Sequence, residues 1–227
     1  MNTQALIPLI ATIAYIPLFV ILLTNRPWQR QQRLFLLFLV PALLWSLSDT
    51  FGRSDFFMQD KLLLVKVVLC IGAWAMVQLH YFLYSFYHPQ GAKIPFGYAA
   101  LISAVVLAML GYIPRGIDVT ATGINVNYGN WIFFIGIFIA PLLIKDFYFL
   151  VRRHRILADP ARRNQIAYLF IGIAILLIFN LSSLTPSFGS KYPLAHIGNL
   201  AMACILTYAV VTGGSLLKMV NYRRALT

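Results

Sequence analysis

Val151-Arg152-Arg153-His154-Arg155-Ile156-Leu157-Ala158-Asp159-Pro160-Ala161-Arg162-Arg163-Asn164 sets five arginines between two long apolar segments. Lys and Arg beside a membrane-spanning helix resist translocation, so cytoplasmic loops accumulate them. A connection this short and this basic reads as a cytoplasmic hinge from which the other segments can be placed. Asp159-Pro160 predicts the start of the next helix, with Asp as N-cap and Pro at the first helical position, where its missing N–H costs nothing.

Outward from that hinge, apolar runs of about 20 residues, the length that crosses a hydrocarbon core as a helix, recur along the chain. They predict seven helices, at residues 4–24, 34–51, 61–86, 95–113, 131–151, 160–184 and 194–217. The fold class expected is all-α: one domain, 1–227, forming a polytopic seven-transmembrane-helix bundle. Charge sets its orientation. On the side of the central hinge lie Arg26, Arg30, Arg33, Lys93, the five hinge arginines, Lys218, Arg223 and Arg224, and on the other side only Arg53, Lys61, Arg115 and Lys191. The N-terminus is therefore expected outside and the C-terminus in the cytoplasm of a bacterial or archaeal cell membrane. The first apolar segment has no basic residues before it and three arginines after it, the reverse of a cleavable signal, and reads as a retained span.

Composition agrees. The 227 residues are 60% hydrophobic and 11% charged, with mean hydropathy +0.79, against roughly 25% charged in globular domains. The net charge of +12 flanks apolar spans and forms no aromatic-studded patch, so the expected partners are anionic lipid headgroups at Arg152, Arg153, Arg155, Arg162 and Arg163, and not nucleic acid. Trp28, Tyr87, Tyr112, Trp131, Tyr192 and Tyr222 fall at predicted membrane–water boundaries, where an amphipathic ring serves as an anchor. Between helices 4 and 5, β-branched and polar residues alternate around Gly123 and predict a small hairpin over the outer end of the bundle.

No Glu occurs, and the acids are Asp49, Asp55, Asp60, Asp118, Asp146 and Asp159. A His-Glu-x-x-His metalloprotease site is therefore impossible, and the last helix has no lysine before Lys218 for retinal. Cys70 and Cys204 lie inside apolar spans as small hydrophobes. No metal site, cofactor or catalytic motif is expected. Ser182 or Ser183 opposite His196 is the only nucleophile–base pairing that the helix order suggests, and nothing in the sequence orients it.

Ionisable groups within a bilayer are costly and mark function by default. Trp45, Ser46, Asp49, Lys66, Asn180, His196 and Asn199 fall at one depth in the outer half. Trp45, Asp49, Lys66, Asn180, His196 and Asn199 are the candidate ligand-binding residues, with Asp49 and Lys66 as an ion pair. The alternative is plain interhelical hydrogen bonding. In the inner half, His80 reads as a hydrogen-bonded packing residue near Trp74, Gln78 and Tyr81, and Asp146 is expected to pair with Lys145 or a hinge arginine.

Several stretches carry a resemblance: Asn127-Tyr-Gly-Asn-Trp131; Ala161-Arg-Arg-Asn-Gln-Ile-Ala-Tyr-Leu-Phe-Ile-Gly-Ile173; Pro193-Leu-Ala-His-Ile-Gly-Asn-Leu200; and Leu44-Trp-Ser-Leu-Ser-Asp49. With Arg163–Gln165 opening helix 6 and Gly172 in its early turns, the chain resembles the N-terminal seven-helix sensor region of bacterial and archaeal histidine kinases. The resemblance implies signal reception, with the chemistry in cytoplasmic domains and no catalytic residue carried over. No phosphoacceptor-histidine helices or ATP-binding domain follow Thr227, so the expectation is a sensor part of a longer protein, or a homologue acting through a cytoplasmic kinase or other output partner. A homodimer is expected by the same analogy. The alternatives are a small transporter or permease subunit, or a structural subunit of a membrane complex.

Overall fold

The structure, a computed structural model, describes residues 3–25, 30–54, 59–88, 96–120, 123–183 and 194–225. Side chains are described there except at 3, 4, 96, 118–120, 123–125, 161, 180, 181, 183 and 212–225. Among these residues the chain forms seven helices and one hairpin: α1 Thr3–Thr24, α2 Arg30–Arg53, α3 Lys61–Tyr87, α4 Phe96–Met109, β1 Gly116–Thr120, β2 Gly123–Asn127, α5 Ile132–Ile156, α6 Pro160–Ser183 and α7 Leu194–Ala225. All except α4 are long and apolar enough to cross a membrane. At 14 residues, α4 rises only about 21 Å and stops four residues short of the expected end, where Gly111, at φ 78°, turns the chain towards the hairpin.

Three further boundaries differ from expectation. α2 begins at Arg30, so Arg30 and Arg33 lie in its first turns. α5 runs on to Ile156, making Arg152, Arg153 and Arg155 helical. Arginine is a good helix former, and cations suit the carbonyl-rich C-terminal end. The hinge thus shrinks to Leu157-Ala158-Asp159, and α6 starts at Pro160 as the sequence predicted, its first backbone bond running from Arg163 N–H to the Asp159 carbonyl at 3.0 Å. α7 continues to Ala225, past the expected end at 217. Trp28 and Tyr192, and the side chain of Tyr222, lie outside the described residues.

The hairpin forms as predicted, antiparallel, with Thr120 opposite Gly123 and Gly116 opposite Asn127. It marks one end of the bundle, here the hairpin end, and the residue 157–159 connection marks the other, the basic end. Cross-helix pairs give the packing. Phe35 of α2 lies against Phe82 of α3, ring centroids 5.0 Å apart, while Trp45 covers Gly72, so these helices run antiparallel. α6 and α7 do the same: Gly172 meets Met202 and Leu206, and Gln165 Nε2 donates to the Ala209 carbonyl at 3.1 Å. α1 closes against both α2 and α7, placing Tyr15 and Leu22 in a shared core with Phe38, Leu79, Leu169 and Met202. A second, smaller core of Ala73, Ala104, Ile113 and Ile135 joins α3, α4 and α5. Among the described residues α5 is packed only lightly on α6, with Phe147 and His154 meeting Phe170.

Close approach of α6 and α7 depends most on Gly198. A Cβ at Gly198 would collide with the Phe179 side chain close to its backbone, where a rotamer change gives little relief. Small residues at such crossings let van der Waals packing hold helices together in lipid. Gly198→Leu is expected to lower the thermal unfolding midpoint in detergent by several degrees, corresponding to a few kcal/mol of overpacking. Gly136→Ala, at a helical position with nothing within 4 Å, should leave it unchanged or raise it.

Candidate functional site

The polar residues fall into two clusters, one at each end of the bundle. At the hairpin end, the last two turns of α2 meet the first turn of α7. Asp49 and Arg53 are one turn apart on α2, and Arg53 Nε donates to Asp49 Oδ2 at 2.7 Å. His196 of α7 donates to the same oxygen through Nε2 at 2.8 Å. Its Nδ1 lies 3.0 Å from Ser46 Oγ, one turn below Asp49, and the Trp45 ring sits 5.3 Å from the imidazole. An ionised carboxylate can only accept, so Nε2 carries the proton, and in the neutral imidazole Nδ1 accepts from the Ser46 hydroxyl. Both ring nitrogens are therefore engaged, and α7 is tied to α2 at two points.

Serine, imidazole and carboxylate in series are also the groups of hydrolytic triads. Here Ser46 is 1% exposed, and its enclosed hydroxyl orients the ring. The serine that faces His196 comes from α2 and not, as the helix order suggested, from α6. Ser182 instead donates to the Ile178 carbonyl of its own helix at 2.8 Å, and the side chain of Ser183 lies outside the described residues.

The structure thus brings together Trp45, Asp49, His196 and Asn199 of the expected set, but not Lys66. Six residues separate Lys66 from Gly72, the α3 position beneath Trp45, which at 100° per residue puts Lys66 about 120° round α3 from the α2 contact. The expected Asp49–Lys66 pair is replaced by Asp49–Arg53, whose i,i+4 spacing was in plain view. The Asn180 side chain lies outside the described residues. Asn199, a turn below His196, is buried at 3% exposure, and its Nδ2 has no hydrogen-bond partner among the described residues. A buried donor without a partner costs about 1–3 kcal/mol. Burial and the Asp49 carboxylate hold the Tyr128 phenol, just after β2, above its ordinary range, with Arg53 opposing.

At the basic end, Asp146 of α5 is fully buried. His80 Nδ1 donates to its Oδ2 at 2.7 Å, and the Tyr87 hydroxyl donates to Oδ1 at 2.5 Å. His80 and Tyr87 lie seven residues apart, two turns along one face of α3, and so grip the carboxylate from both sides. The expected pairing of Asp146 with Lys145 or a hinge arginine does not form: adjacent helical residues point in different directions, and Lys145 is exposed. His80 is a hydrogen-bonded residue as expected, and Tyr87, read as an interface anchor, is a ligand of the carboxylate. Around them, Gln78 Nε2 donates to the Tyr98 hydroxyl at 2.8 Å, Tyr81 stacks on Tyr98, and Tyr87 stacks on Phe149 of α5 with centroids 5.1 Å apart.

No group of three or more His, Cys, Asp or Glu side chains suited to a metal ion occurs among the described residues. Comparison with protein-family models and with curated proteins finds no match for the chain.

Removing one partner of a buried pair leaves an uncompensated charge, at a cost of about 3–5 kcal/mol. In a double-mutant cycle of His80→Ala and Asp146→Asn, read by thermal or denaturant unfolding in micelles, the two losses should fall short of additivity by at least about 1 kcal/mol. Additive losses would mean that the pair does not couple α3 to α5. Asn199→Leu removes an unsatisfied donor at nearly constant volume and should leave stability unchanged or raise it.

Proposed function

We propose that the chain is a seven-span membrane sensor or receptor module, with the N-terminus and hairpin outside and the hinge and C-terminus in the cytoplasm. The observation that carries this reading is a pair of histidine–aspartate bridges at opposite ends of the bundle, each joining helices distant in sequence: α7 to α2 at the hairpin end, and α3 to α5 at the basic end. Because α2 and α3 are themselves closely packed, a change at the outer bridge reaches the inner one through a single helix contact. A stimulus must favour one helix arrangement over another. The outer cluster, with the Asn199 donor lacking a partner among the described residues, offers a free-energy difference of suitable size for an outside ligand or a bilayer change to act upon.

On this reading α4 crosses most of the hydrocarbon as a helix, and the chain after it reaches the outer interface near Tyr112 and Trp131, whose rings lie 5.6 Å apart, with the hairpin beyond them. Output runs through α5 and α7 to a cytoplasmic domain or partner. The sequence resemblance to the sensor region of histidine kinases points the same way.

The test places spin labels on cysteines at Leu37 and Ile156, after Cys70 and Cys204 are replaced by Ser, and compares the distance distribution in liposomes with and without Asp49→Asn. A receptor module is expected to show a shifted or broadened distribution when the outer bridge is altered. An unchanged distribution would break the proposed link between the two ends. Flux of solute by the purified chain in sealed liposomes would favour a transporter instead. Labelling of single cysteines from either side of intact cells, at Ser54 and Ala158, checks the orientation, with Ser54 expected outside.

A further inference from the structure

We infer that the seam between α5 and α6 holds an anionic phospholipid, its phosphate gripped by Arg155 and Arg163 and its acyl chains lying against the apolar surface of both helices. The inference goes beyond the sensor reading and rests on its membrane orientation, with the 157–159 connection at the cytoplasmic side.

The geometry follows from helical phase. On α5, Phe147 and His154 are seven residues apart and mark the line that meets Phe170 of α6. Asp146 and Leu150, both buried, point to the other side, towards α3. At 100° per residue, Arg155 lies about 100° from His154 on the outward side, in line with Ile144 and Tyr148, which are 68% and 61% exposed. On α6, Arg163 is seven residues before Phe170 and so shares its line within about 20°, while Ile171 and Ile178 expose the adjoining strip to the surroundings. The two guanidinium groups therefore stand on either side of the seam, at its cytoplasmic mouth on the proposed orientation.

Charge selects the occupant. Both arginines are exposed, and neither has an acidic partner among the described residues; the nearby Asp159 faces Arg162, at 3.6 Å. A phosphodiester between two guanidiniums supplies the missing counter-charge through charge-assisted hydrogen bonds. The apolar strips beneath require a ligand that is hydrocarbon below its headgroup. Basic recesses between helices on the cytoplasmic side suit phosphate-bearing lipids for these reasons. The aromatic strip of Phe147, His154 and Phe170 closes the seam behind the headgroup, so the lipid lies along the groove and does not pass between the helices.

The experiment uses the full chain in phosphatidylcholine nanodiscs containing a small fraction of phosphatidylglycerol, with bound lipid counted by native mass spectrometry after ejection. Wild type is expected to retain phosphatidylglycerol well above its share of the bilayer. Arg155→Gln with Arg163→Gln is expected to weaken retention about tenfold or more, whereas Arg30→Gln with Arg33→Gln, on α2, should leave it unchanged. Equal loss in both double variants would show a diffuse positive field and overturn the site, as would retention by wild type no greater than the bilayer share. Should the groove variant fail to fold, a photoactivatable phosphatidylglycerol is used on wild type. Cross-links concentrated on residues 144–163 and 171–178 support the site, and cross-links spread evenly over the cytoplasmic ends overturn it.

Discussion

A carboxylate enclosed by hydrocarbon must find its hydrogen-bond donors within the protein, because the medium supplies none. Two aspartates of this chain obey that constraint, and they place four of the seven helices. Asp146 takes both of its donors from α3, fixing the rotation of α3 and α5 about their axes. Asp49 takes one donor from its own helix and one from α7. Moving α7 along its axis by a single turn, about 5.4 Å, would strip both Asp49 and Ser46 of the imidazole. The apolar core tolerates sliding far better than these bridges do, since one leucine contact resembles the next.

The helices themselves were legible because each is a long apolar run, and the hairpin because alternation around Gly123 is a local pattern. Helix ends were less so. Residues 152–156 are rich in arginine, and sequence alone treats a basic run beside a span as loop, although arginine propagates a helix well. The short α4 was hidden because Leu110, Tyr112 and Ile113 prolong the apolar run beyond the point where Gly111 ends the helix.

For the polar clusters, depth was legible and direction was not. Placing Asp49, His196 and Asn199 at one level required only counting from the ends of spans. Choosing Lys66 over Arg53 as partner for Asp49 required knowing which face α3 turns to α2, and that is set by Trp45 lying over Gly72. Ser46 could be placed at the right depth and still not be assigned to His196, since α2 and α7 are distant in sequence. Tyr87 illustrates the same limit. A tyrosine at the end of a span has an ordinary role as an anchor, and only its phase relative to His80 marks it as a ligand of Asp146.

The connection between α5 and α6 limits how these parts can move. Four Cα steps separate Ile156 from Pro160, so the two helix ends can never part by more than about 14 Å. Across the thinly packed seam that tether has little slack. α5 can tilt or rotate against its neighbour with few contacts to break, yet its travel has a built-in stop, and displacement beyond it must drag α6 along. Because Gly198 locks α6 onto α7, the pair would follow as one rigid lever, turning a loose helix at one side of the bundle into a push on the helix that leaves it.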